Sequence, residues 1–445
     1  MADSARTQRR LTARGSLIVL TLLAAVAGTL ALYAGAQRPP LSSAFLQDTY
    51  AKSSATLSAA TVLGKAGTPS LEAEALLVRT LAEISRNRMD SALTEIDKVI
   101  GAYPNFRLAH LIKGDLLLAR GRPISTIGSA PEAPQEQLAD LRDEARARVG
   151  RQQSERPKDQ VPRYLLQMPP EQRHALVVDT AKSTLYVFEN KKGEARYVAD
   201  YYVTIGKQGM DKFREGDNKT PLGVYHVTGN ISREQLNSRY GKRADEYGMG
   251  ALPISYPNEW DRRGGRNGHG IWLHGVPFDT YSRPPRASNG CVALTNEDFM
   301  ALEKSVQVGV TPVIIANGIE WTNPQEMRAV RGSLNQAFES WRSDWESLNT
   351  GNYLRHYSTQ FASGTQTYRT WSEYKREVNS AKTWIKIKTD NVSMYFYPGA
   401  HELAVVTFDQ DYASSNLSGQ TRRRQYWKKE TGGWKILYEG AAPST

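Results

Sequence analysis

The sequence predicts a multidomain fold: an N-terminal transmembrane helix, an α-helical repeat hairpin, a mostly-β domain and a C-terminal α+β domain shaped as a cone. Residues 15–36 are uncharged and largely apolar, residues 70–121 place apolar residues at helical spacing, and residues 174–316 carry short apolar and alternating segments typical of strands. A chain of 445 residues is long enough for about two to four folded units.

The N-terminus has the pattern of a membrane-inserted segment. Four arginines within residues 1–14 precede the apolar run of residues 15–36, which is long enough to span the hydrocarbon core of a bilayer. Basic residues hold their end of such a segment in the cytoplasm, so residues 1–14 are predicted to be cytoplasmic and everything after about residue 40 to lie outside the cytoplasmic membrane. A cleaved signal peptide is the alternative, because Ala34-Gly35-Ala36 has the small-x-small form that signal peptidase reads.

Composition excludes a wholly disordered chain and disfavours a nucleic-acid-binding protein. Hydrophobic residues make up 40% of the chain, enough to build packed cores. Lys and Arg number 57 against 46 Asp and Glu, a formal net charge of +11. No segment interleaves basic with aromatic residues, so no nucleic acid partner is predicted. The excess charge is either a solvated surface or suited to an anionic polymer or membrane face.

Residues 70–121 are predicted to be helical, and they resemble a tetratricopeptide repeat. Ala92 and Pro104 stand where such a repeat has a small residue and a helix breaker, and Gly114 falls where the next repeat has its glycine. The resemblance implies a hairpin that binds a partner or acts as a spacer. Residues 122–172 mix Pro, Gln, Glu and Arg around one polar helix and are interpreted as a linker.

Residues 321–445 are predicted to form a separate α+β unit. Phe338, Trp341 and Trp345 lie on one stripe of a helix, several strands follow, and Gly432-Gly433 marks a hairpin turn. A helix followed by a curved antiparallel sheet resembles the cone-shaped domain of the SnoaL and nuclear-transport-factor-like superfamily. No acid–base pair stands out here, so the unit is interpreted as a binding module.

Cys291 is the one cysteine of the chain and the candidate nucleophile. A lone cysteine is commonly a small buried hydrophobe, but its retention in an exported protein favours a chemical role. His274 ends an apolar strand and is followed by Gly275, and Gly290 precedes the cysteine. Because a nearby imidazole stabilises a thiolate, we expect His274 to keep the sulfur ionised. Gly290 leaves local N–H groups free to face an oxyanion.

The segments around this pair resemble the L,D-transpeptidase (YkuD) family. The family signature joins a His-Gly to a Ser/Thr-His-Gly-Cys ending, which correspond here to His274-Gly275 and Ser288–Cys291. Gly216–Tyr225 matches the Gly-Asp-x-x-Thr-Pro-x-Gly turn of the family. Val177–Asp179 matches its opening hairpin and Gly309–Val313 its closing strand. The mostly-β domain is therefore identified as a member of this family.

The resemblance implies an enzyme of the bacterial cell wall, anchored in the inner membrane with its catalytic region in the periplasm. It implies that Cys291 attacks the carbonyl of the third, diaminopimelate residue of a peptidoglycan tetrapeptide stem and expels the terminal D-alanine. His274 takes the thiol proton and later serves the incoming amine as base. Gly290 and the Cys291 backbone help to hold the oxyanion, and Ser288 supports the imidazole or its loop.

Two residues depart from the family pattern. Asn289 stands where most members have a histidine, and an asparagine can orient a neighbour but cannot shuttle a proton. Ala293 stands where most members have an arginine or asparagine, so a carboxylate anchor is missing, which Arg286 or Arg283 would replace. We expect Arg283, Arg286 and Asn289, together with Gly275, to bind substrate.

Three functional hypotheses remain open. The first is an acyltransferase that passes the stem peptide to an amine, with stem peptides as partners and a wall-linked lipoprotein or envelope protein as a possible further partner of the flanking modules. The second is a peptidoglycan amidase that uses the same thiol with water as acceptor, because the Gly-Cys-apolar-Ala-apolar ending also occurs in a branch that resembles lipoprotein-detaching hydrolases. The third is a non-catalytic, wall-binding scaffold.

The remaining histidines are interpreted mainly as structural residues. His269 is a weaker site candidate, because alternation along a strand would point it away from His274. No metal-ligand spacing links any of the histidines, so neither a metal site nor a cofactor is expected. Trp272, beside the proposed base, either lines the acyl pocket or packs in the core.

Overall fold

The computed structural model describes residues 71–442 apart from residues 123, 125, 131, 154, 155 and 401. The predicted anchor at residues 15–36 and the cytoplasmic segment 1–14 lie outside the described residues. Within the part of the chain that is described, no helix combines the length and the apolar character that a membrane crossing requires.

Helices make up the first described region. They are α1 (Leu71–Ser85), α2 (Met89–Ala102), α3 (Arg107–Ala119) and α4 (Gln135–Gln153). Apolar side chains at helical spacing, among them Leu77, Ile96 and Ile112, share one core. The polar helix of the predicted linker is α4, and it packs on this core through Leu141 and Ala145 instead of crossing solvent.

The strands β1 (Val161–Pro162) and β2 (Leu165–Gln167) follow α4, in a stretch that the sequence analysis assigned to a linker. β1 pairs with the strand at residues 321–322, and β2 forms one edge of the C-terminal sheet. Both strands are too short for a periodicity signal, and their partners lie more than a hundred residues away, so the local sequence does not reveal them.

A mostly-β domain occupies the middle of the chain. Its strands are β3 (His174–Asp179), β4 (Thr184–Lys191), β5 (Glu194–Tyr202), β6 (Ile205–Gly206), β7 (Gly223–His226), β8 (Ile231–Ser232), β9 (Gly250–Pro253), β10 (Trp272–His274), β11 (Arg286–Ser288), β12 (Val292–Ala293) and β13 (Pro312–Ala316). Its helices are α5 (Arg233–Tyr240), a 3₁₀ helix (Gly241–Tyr247), α6 (Glu259–Arg263) and α7 (Asn296–Glu303).

The large sheet of this domain has the order β5-β4-β3-β13-β7, and its central strands β3 and β13 are buried on both faces. Successive residues of a strand point to opposite faces, so Leu176 and Val178 enter the core of the β domain while Ala175 and Val177 enter the core of the C-terminal unit. Burial on both sides explains why β3 reads as an unbroken apolar run.

The C-terminal unit is a helical layer against a five-stranded antiparallel sheet. Its elements are β14 (Trp321–Thr322), α8 (Pro324–Glu346), α9 (Thr350–Leu354), β15 (Ala362–Ser363), β16 (Gln366–Thr367), α10 (Tyr368–Ser380), β17 (Ile385–Phe396), β18 (Leu403–Ser414), β19 (Ser418–Glu430) and β20 (Gly433–Ala441). The sheet order is β2-β17-β18-β19-β20. Phe338, Trp341 and Trp345 of α8 are buried, as their spacing predicts.

Polar contacts also join the C-terminal unit to the β domain. The guanidinium of Arg424 donates to both carboxylate oxygens of Glu259 at 3.2 and 3.0 Å, and the Tyr426 hydroxyl donates to the same carboxylate at 3.2 Å. Arg263 donates to the carbonyl oxygens of Ala362 and Leu437. The two units therefore share a packed and hydrogen-bonded interface.

Candidate active site

Strand pairing brings the histidine and cysteine segments together. β10 and β12 are adjacent and parallel, with Leu273 opposite Val292 and His274 opposite Ala293. Cys291 immediately precedes β12, and its thiol donates to the Gly270 carbonyl oxygen at 3.4 Å. The two segments that the sequence analysis paired are thus neighbours in one four-stranded sheet, β12-β10-β9-β8.

A tight turn presents the cysteine. The Ser288 hydroxyl donates to the Cys291 carbonyl oxygen at 2.6 Å and accepts from the Gly290 amide at 3.1 Å. Gly290 has a φ of +125°, and a Cβ there would lie 2.7 Å from the Lys219 carbonyl oxygen. Ser288 therefore holds the turn, and only glycine fits at position 290 without displacing backbone.

Thr220 fixes the same turn from the other side. Its hydroxyl donates to the Gly290 carbonyl oxygen at 2.9 Å and accepts from the Gly206 amide at 2.9 Å. Thr220 belongs to the Gly-Asp-x-x-Thr-Pro motif, where Asp217 accepts hydrogen bonds from three backbone amides and from Lys212. The motif that supported the family resemblance is thus the scaffold beneath the nucleophile.

His274 is held in one tautomer. Its Nδ1 lies 2.6 Å from the Gly275 carbonyl oxygen. A carbonyl oxygen only accepts, so Nδ1 carries the proton and Nε2 keeps a lone pair. Burial lowers the pKa of His274 to about 4; the Gly275 hydrogen bond opposes this, and the charge of Arg283 adds to it. His274 is therefore a neutral base at pH 7.

The thiol is also neutral at rest. Cys291 is half-buried, and burial raises the pKa of its thiol to about 11, although the Trp272 backbone and the charges of Lys212 and Arg283 act in the opposite direction. The expectation that the imidazole keeps the sulfur ionised is therefore not met. A buried site with little polar compensation favours the uncharged form of both groups.

The cations proposed for the missing anchor lie in different surroundings. Arg283 is half-buried, and its charge acts on both His274 and Cys291. Arg286 and Asn289 are exposed. Ala293 is buried and bonds through its backbone to Thr204. Among the predicted substrate-binding side chains, Arg283 is the one whose charge reaches the sulfur.

An aromatic group lines the histidine and was not predicted as a unit. The centre of the Tyr247 ring lies 5.2 Å from the centre of the His274 ring, in an edge contact, and 4.8 Å from the centre of the Trp272 ring. Tyr240 adds a third ring, 5.7 Å from Tyr247 and 5.9 Å from Trp272. The helical segment that carries both tyrosines has no strong amphipathic pattern, so only Trp272, next to His274 in sequence, gave a signal.

No cluster of His, Cys, Asp and Glu suited to a metal ion occurs within the described residues. His269 is exposed and lies 3.4 Å from the Glu215 carboxylate. His226 is half-buried with its Nδ1 atom shielded from solvent, and this desolvation lowers the pKa of His226 well below the usual value. The pairing of β10 with β12 brings the segments of His274 and Cys291 together, and a histidine base beside a cysteine thiol is the arrangement that nucleophilic catalysis by sulfur uses.

Comparisons with protein families agree with two of the three resemblances found in the sequence, those of the β domain and the C-terminal unit. Residues 173–315 match the model of the YkuD L,D-transpeptidase catalytic domain. Residues 333–440 match the Cds6 C-terminal NTF2-like domain, which confirms the nuclear-transport-factor-like fold of the cone. Both recognised domains coincide with packed units of the structure.

Similar proteins are found among curated sequences and solved structures. YafK of Escherichia coli (strain K12), whose L,D-transpeptidase name is provisional, is 32% identical over 143 residues, which cover 29% of this chain and 48% of YafK, about half its length. Bd1075 of Bdellovibrio bacteriovorus has a TM-score of 0.55 at 27% identity, over 64% of this chain and 99% of Bd1075. Pgp2 of Campylobacter jejuni, a helical cell shape determining protein, has a TM-score of 0.52 at 23% identity, over 64% of this chain and 96% of Pgp2.

Proposed function

We propose that the β domain is a cysteine acyltransferase of the L,D-transpeptidase type that acts on peptidoglycan stem peptides. The observation that carries the proposal is the tautomer of His274: its Nδ1 proton is held by the Gly275 carbonyl oxygen, which leaves Nε2 as a base on the strand beside Cys291. A neutral base on β10 and a neutral thiol just before the adjacent strand β12 are the two groups that general-base-assisted attack requires.

The first half-reaction forms a thioester. His274 Nε2 takes the thiol proton of Cys291 as the sulfur bonds to the carbonyl carbon of the diaminopimelate residue. The tetrahedral intermediate collapses, the bond to the terminal D-alanine nitrogen breaks, and His274 returns the proton to that amine. In the second half-reaction an acceptor amine loses a proton to His274, attacks the thioester and releases the thiol.

The turn around the nucleophile limits which amides face the oxyanion. The Gly290 amide, expected to contribute, donates to the Ser288 hydroxyl. The Cys291 amide has no acceptor among the hydrogen bonds of the described backbone, and we assign it as the oxyanion donor. Lys212 and Arg283 favour the negative charge that develops at the sulfur.

The remaining parts of the proposal concern location and biological role. An anchor at residues 15–36 would place the catalytic domain in the periplasm, where its substrate lies. The family match and the fold shared with a protein named for helical cell shape favour a role in cell-wall organisation and cell shape. The helical and cone units would then hold the enzyme on the wall or on a wall-linked partner.

The acceptor decides between transfer and hydrolysis. We propose an amine, as in the family that the domain matches, and water is the second candidate because Asn289 and Ala293 depart from the family pattern. Purified disaccharide-tetrapeptide, incubated with the full chain and separated by chromatography with mass detection, tests the proposal. A cross-linked dimer supports transfer, and free D-alanine with tripeptide but no dimer supports hydrolysis. Unchanged tetrapeptide would overturn both, with Cys291→Ala as the blank.

A further inference from the structure

The loop that joins the base to the nucleophile turn is held by two domains. Residues 275–285 connect β10 to β11, and we call them the 275–285 loop. At residue 283 it is bonded to the β domain: the carbonyl oxygen of Arg283 accepts from the hydroxyls of Tyr202 and Thr204, each at 3.0 Å. Residues 278–282, just before it, contact the N-terminal helices.

Tyr281 anchors the loop inside the helical core. Tyr281 is 7% exposed, and the centre of its ring lies 4.7 Å from the centre of the Tyr103 ring and 4.8 Å from that of the Phe106 ring. All other buried members of that core belong to residues 73–145. The hydroxyl of Tyr281 has no hydrogen-bond partner among the described residues, so the ring alone makes the anchor.

Hydrogen bonds add a second attachment. Asn105 lies between α2 and α3. Its side-chain amide donates to the Phe278 carbonyl oxygen at 2.9 Å, and its backbone carbonyl oxygen accepts from the Tyr281 amide at 3.2 Å. The Ser282 hydroxyl donates to the Glu144 carboxylate of α4 at 2.6 Å. Ser282 immediately precedes Arg283, so Glu144 fixes the backbone from which that guanidinium extends.

Buried charges lock α4 against the β domain. Arg148 pairs with Glu144 and Glu74, and its guanidinium lies 4.1 Å from the centre of the Tyr202 ring. One turn further, Arg151 pairs with Asp200 of β5. These charged side chains are at most 9% exposed, and a buried charge that loses its partner is strongly destabilising, so α4 has one preferred position on the β domain.

We propose that the N-terminal helices position Arg283 at the nucleophile through Tyr281 and Ser282, so that the helical region sets how the site recognises a carboxylate. Thr204, whose hydroxyl donates to the Arg283 carbonyl oxygen, pairs through its backbone with Ala293, two residues after Cys291, so the backbone of Arg283 lies beside the nucleophile segment. The charges of Glu246 and Asp279 reach the Arg283 guanidinium, but neither carboxylate forms a salt bridge with it within the described residues. If the proposed function holds, the Arg283 guanidinium binds the carboxylate of the D-alanine that leaves; this inference rests on that function. Tyr281, Ser282 and Glu144 are positioning residues, which never touch substrate.

The single cysteine provides a readout that does not depend on the natural substrate. Iodoacetate and iodoacetamide both alkylate the thiolate, but only iodoacetate carries a carboxylate, so the ratio of their rates reports a cation beside the sulfur and cancels changes in the thiol pKa. In the full chain we expect Arg283→Gln to lower this ratio by about threefold or more. Tyr281→Ala and Ser282→Ala should lower it similarly, and Tyr281→Phe, which keeps the ring, should retain the wild-type value.

Two outcomes would overturn the proposal. One is a wild-type ratio in both Tyr281→Ala and Ser282→Ala when Arg283→Gln lowers it, and the other is no effect of Arg283→Gln. If Tyr281→Ala fails to fold by circular dichroism, Ser282→Ala decides. A parallel kinetic measurement compares the tetrapeptide with its C-terminal carboxamide as substrates. In the three variants Arg283→Gln, Tyr281→Ala and Ser282→Ala, KM should rise for the tetrapeptide with a free carboxylate and stay unchanged for the carboxamide. Absence of turnover in the wild type would count against the proposed function, whereas the alkylation ratio still tests the placement of Arg283.

Discussion

The Nδ1 atom of His274 lies 2.6 Å from the carbonyl oxygen of Gly275, the next residue along the chain. This contact sets the tautomer, because the ring nitrogen has to be the donor. It also explains why glycine follows the histidine: a Cβ at Gly275 would lie 2.2 Å from the Asn296 side-chain oxygen and would displace the backbone that carries the acceptor. The local backbone thus orients the base, and no carboxylate among the described residues bonds to the His274 ring.

The thiol should titrate at high pH. Burial raises the pKa of Cys291 to about 11, so its alkylation by iodoacetamide should still accelerate between pH 9 and pH 10. The measurement is the rate of mass increase of the intact protein as a function of pH. A rate that levels off below pH 8 would show a thiolate–imidazolium pair at rest, contrary to the neutral pair described above.

His274 should make the fold sensitive to acid. Its pKa is about 4 in the folded protein against 6.5 ordinarily, so between these values the unfolded chain binds the additional proton. The stabilising contribution is complete above pH 6.5 and is lost as the pH falls toward 4, about 3 kcal/mol in all. Denaturant unfolding at pH 7 and pH 4.5 should therefore show a smaller pH dependence in His274→Gln than in the wild type. Equal pH dependence would contradict the assignment.

Thr220→Val should weaken both the fold and the reaction. The substitution removes a hydroxyl that bridges the Gly206 amide and the Gly290 carbonyl oxygen, and each buried group left unpaired costs about 1–3 kcal/mol. We expect a lower free energy of unfolding and at least about tenfold slower acylation, because the nucleophile turn loses its support. Thr228→Val, at an exposed threonine of the same domain, is the matched control and should behave as wild type.

Gly290→Ala should slow the acylation of Cys291 because it shifts the turn that carries the nucleophile. The residue has a φ of +125°, and the added methyl group would lie 2.7 Å from the Lys219 carbonyl oxygen, so the turn has to shift. A misplacement of about 1 Å at a nucleophile costs about 10²-fold in rate. Gly114→Ala, in α3 with open space around it, is the control and should keep the wild-type rate. A Gly290→Ala protein with normal kinetics would contradict the described turn.

Much of the β domain could be predicted from the sequence because its signals are local. The apolar run of β3, the glycines beside His274 and Cys291, and the Gly-Asp-x-x-Thr-Pro motif each constrain backbone within a few residues. These motifs occur in the same order as in the L,D-transpeptidase family, and that order was enough to recognise the domain from the sequence. The protonation states could not be predicted, since they depend on burial, which spacing does not report.

The contacts between domains were also out of reach of the sequence. Tyr281 reads as an ordinary loop residue, yet it fills the helical core. Arg148 and Glu144 look like charges of a solvated polar helix, but they are buried against the β domain. Likewise β2 forms a strand because it pairs with β17, far along the chain. Each of these features depends on a contact with a residue distant in sequence, which a local pattern does not predict.

Intact-protein mass spectrometry after incubation with a carbapenem tests whether Cys291 is the acylated nucleophile, because the family resemblance implies that the thiol opens the lactam ring. We expect one adduct on the wild type, slower adduct formation in His274→Ala with the fold retained, and none in Cys291→Ala. An adduct of unchanged yield in Cys291→Ala would contradict that role of Cys291.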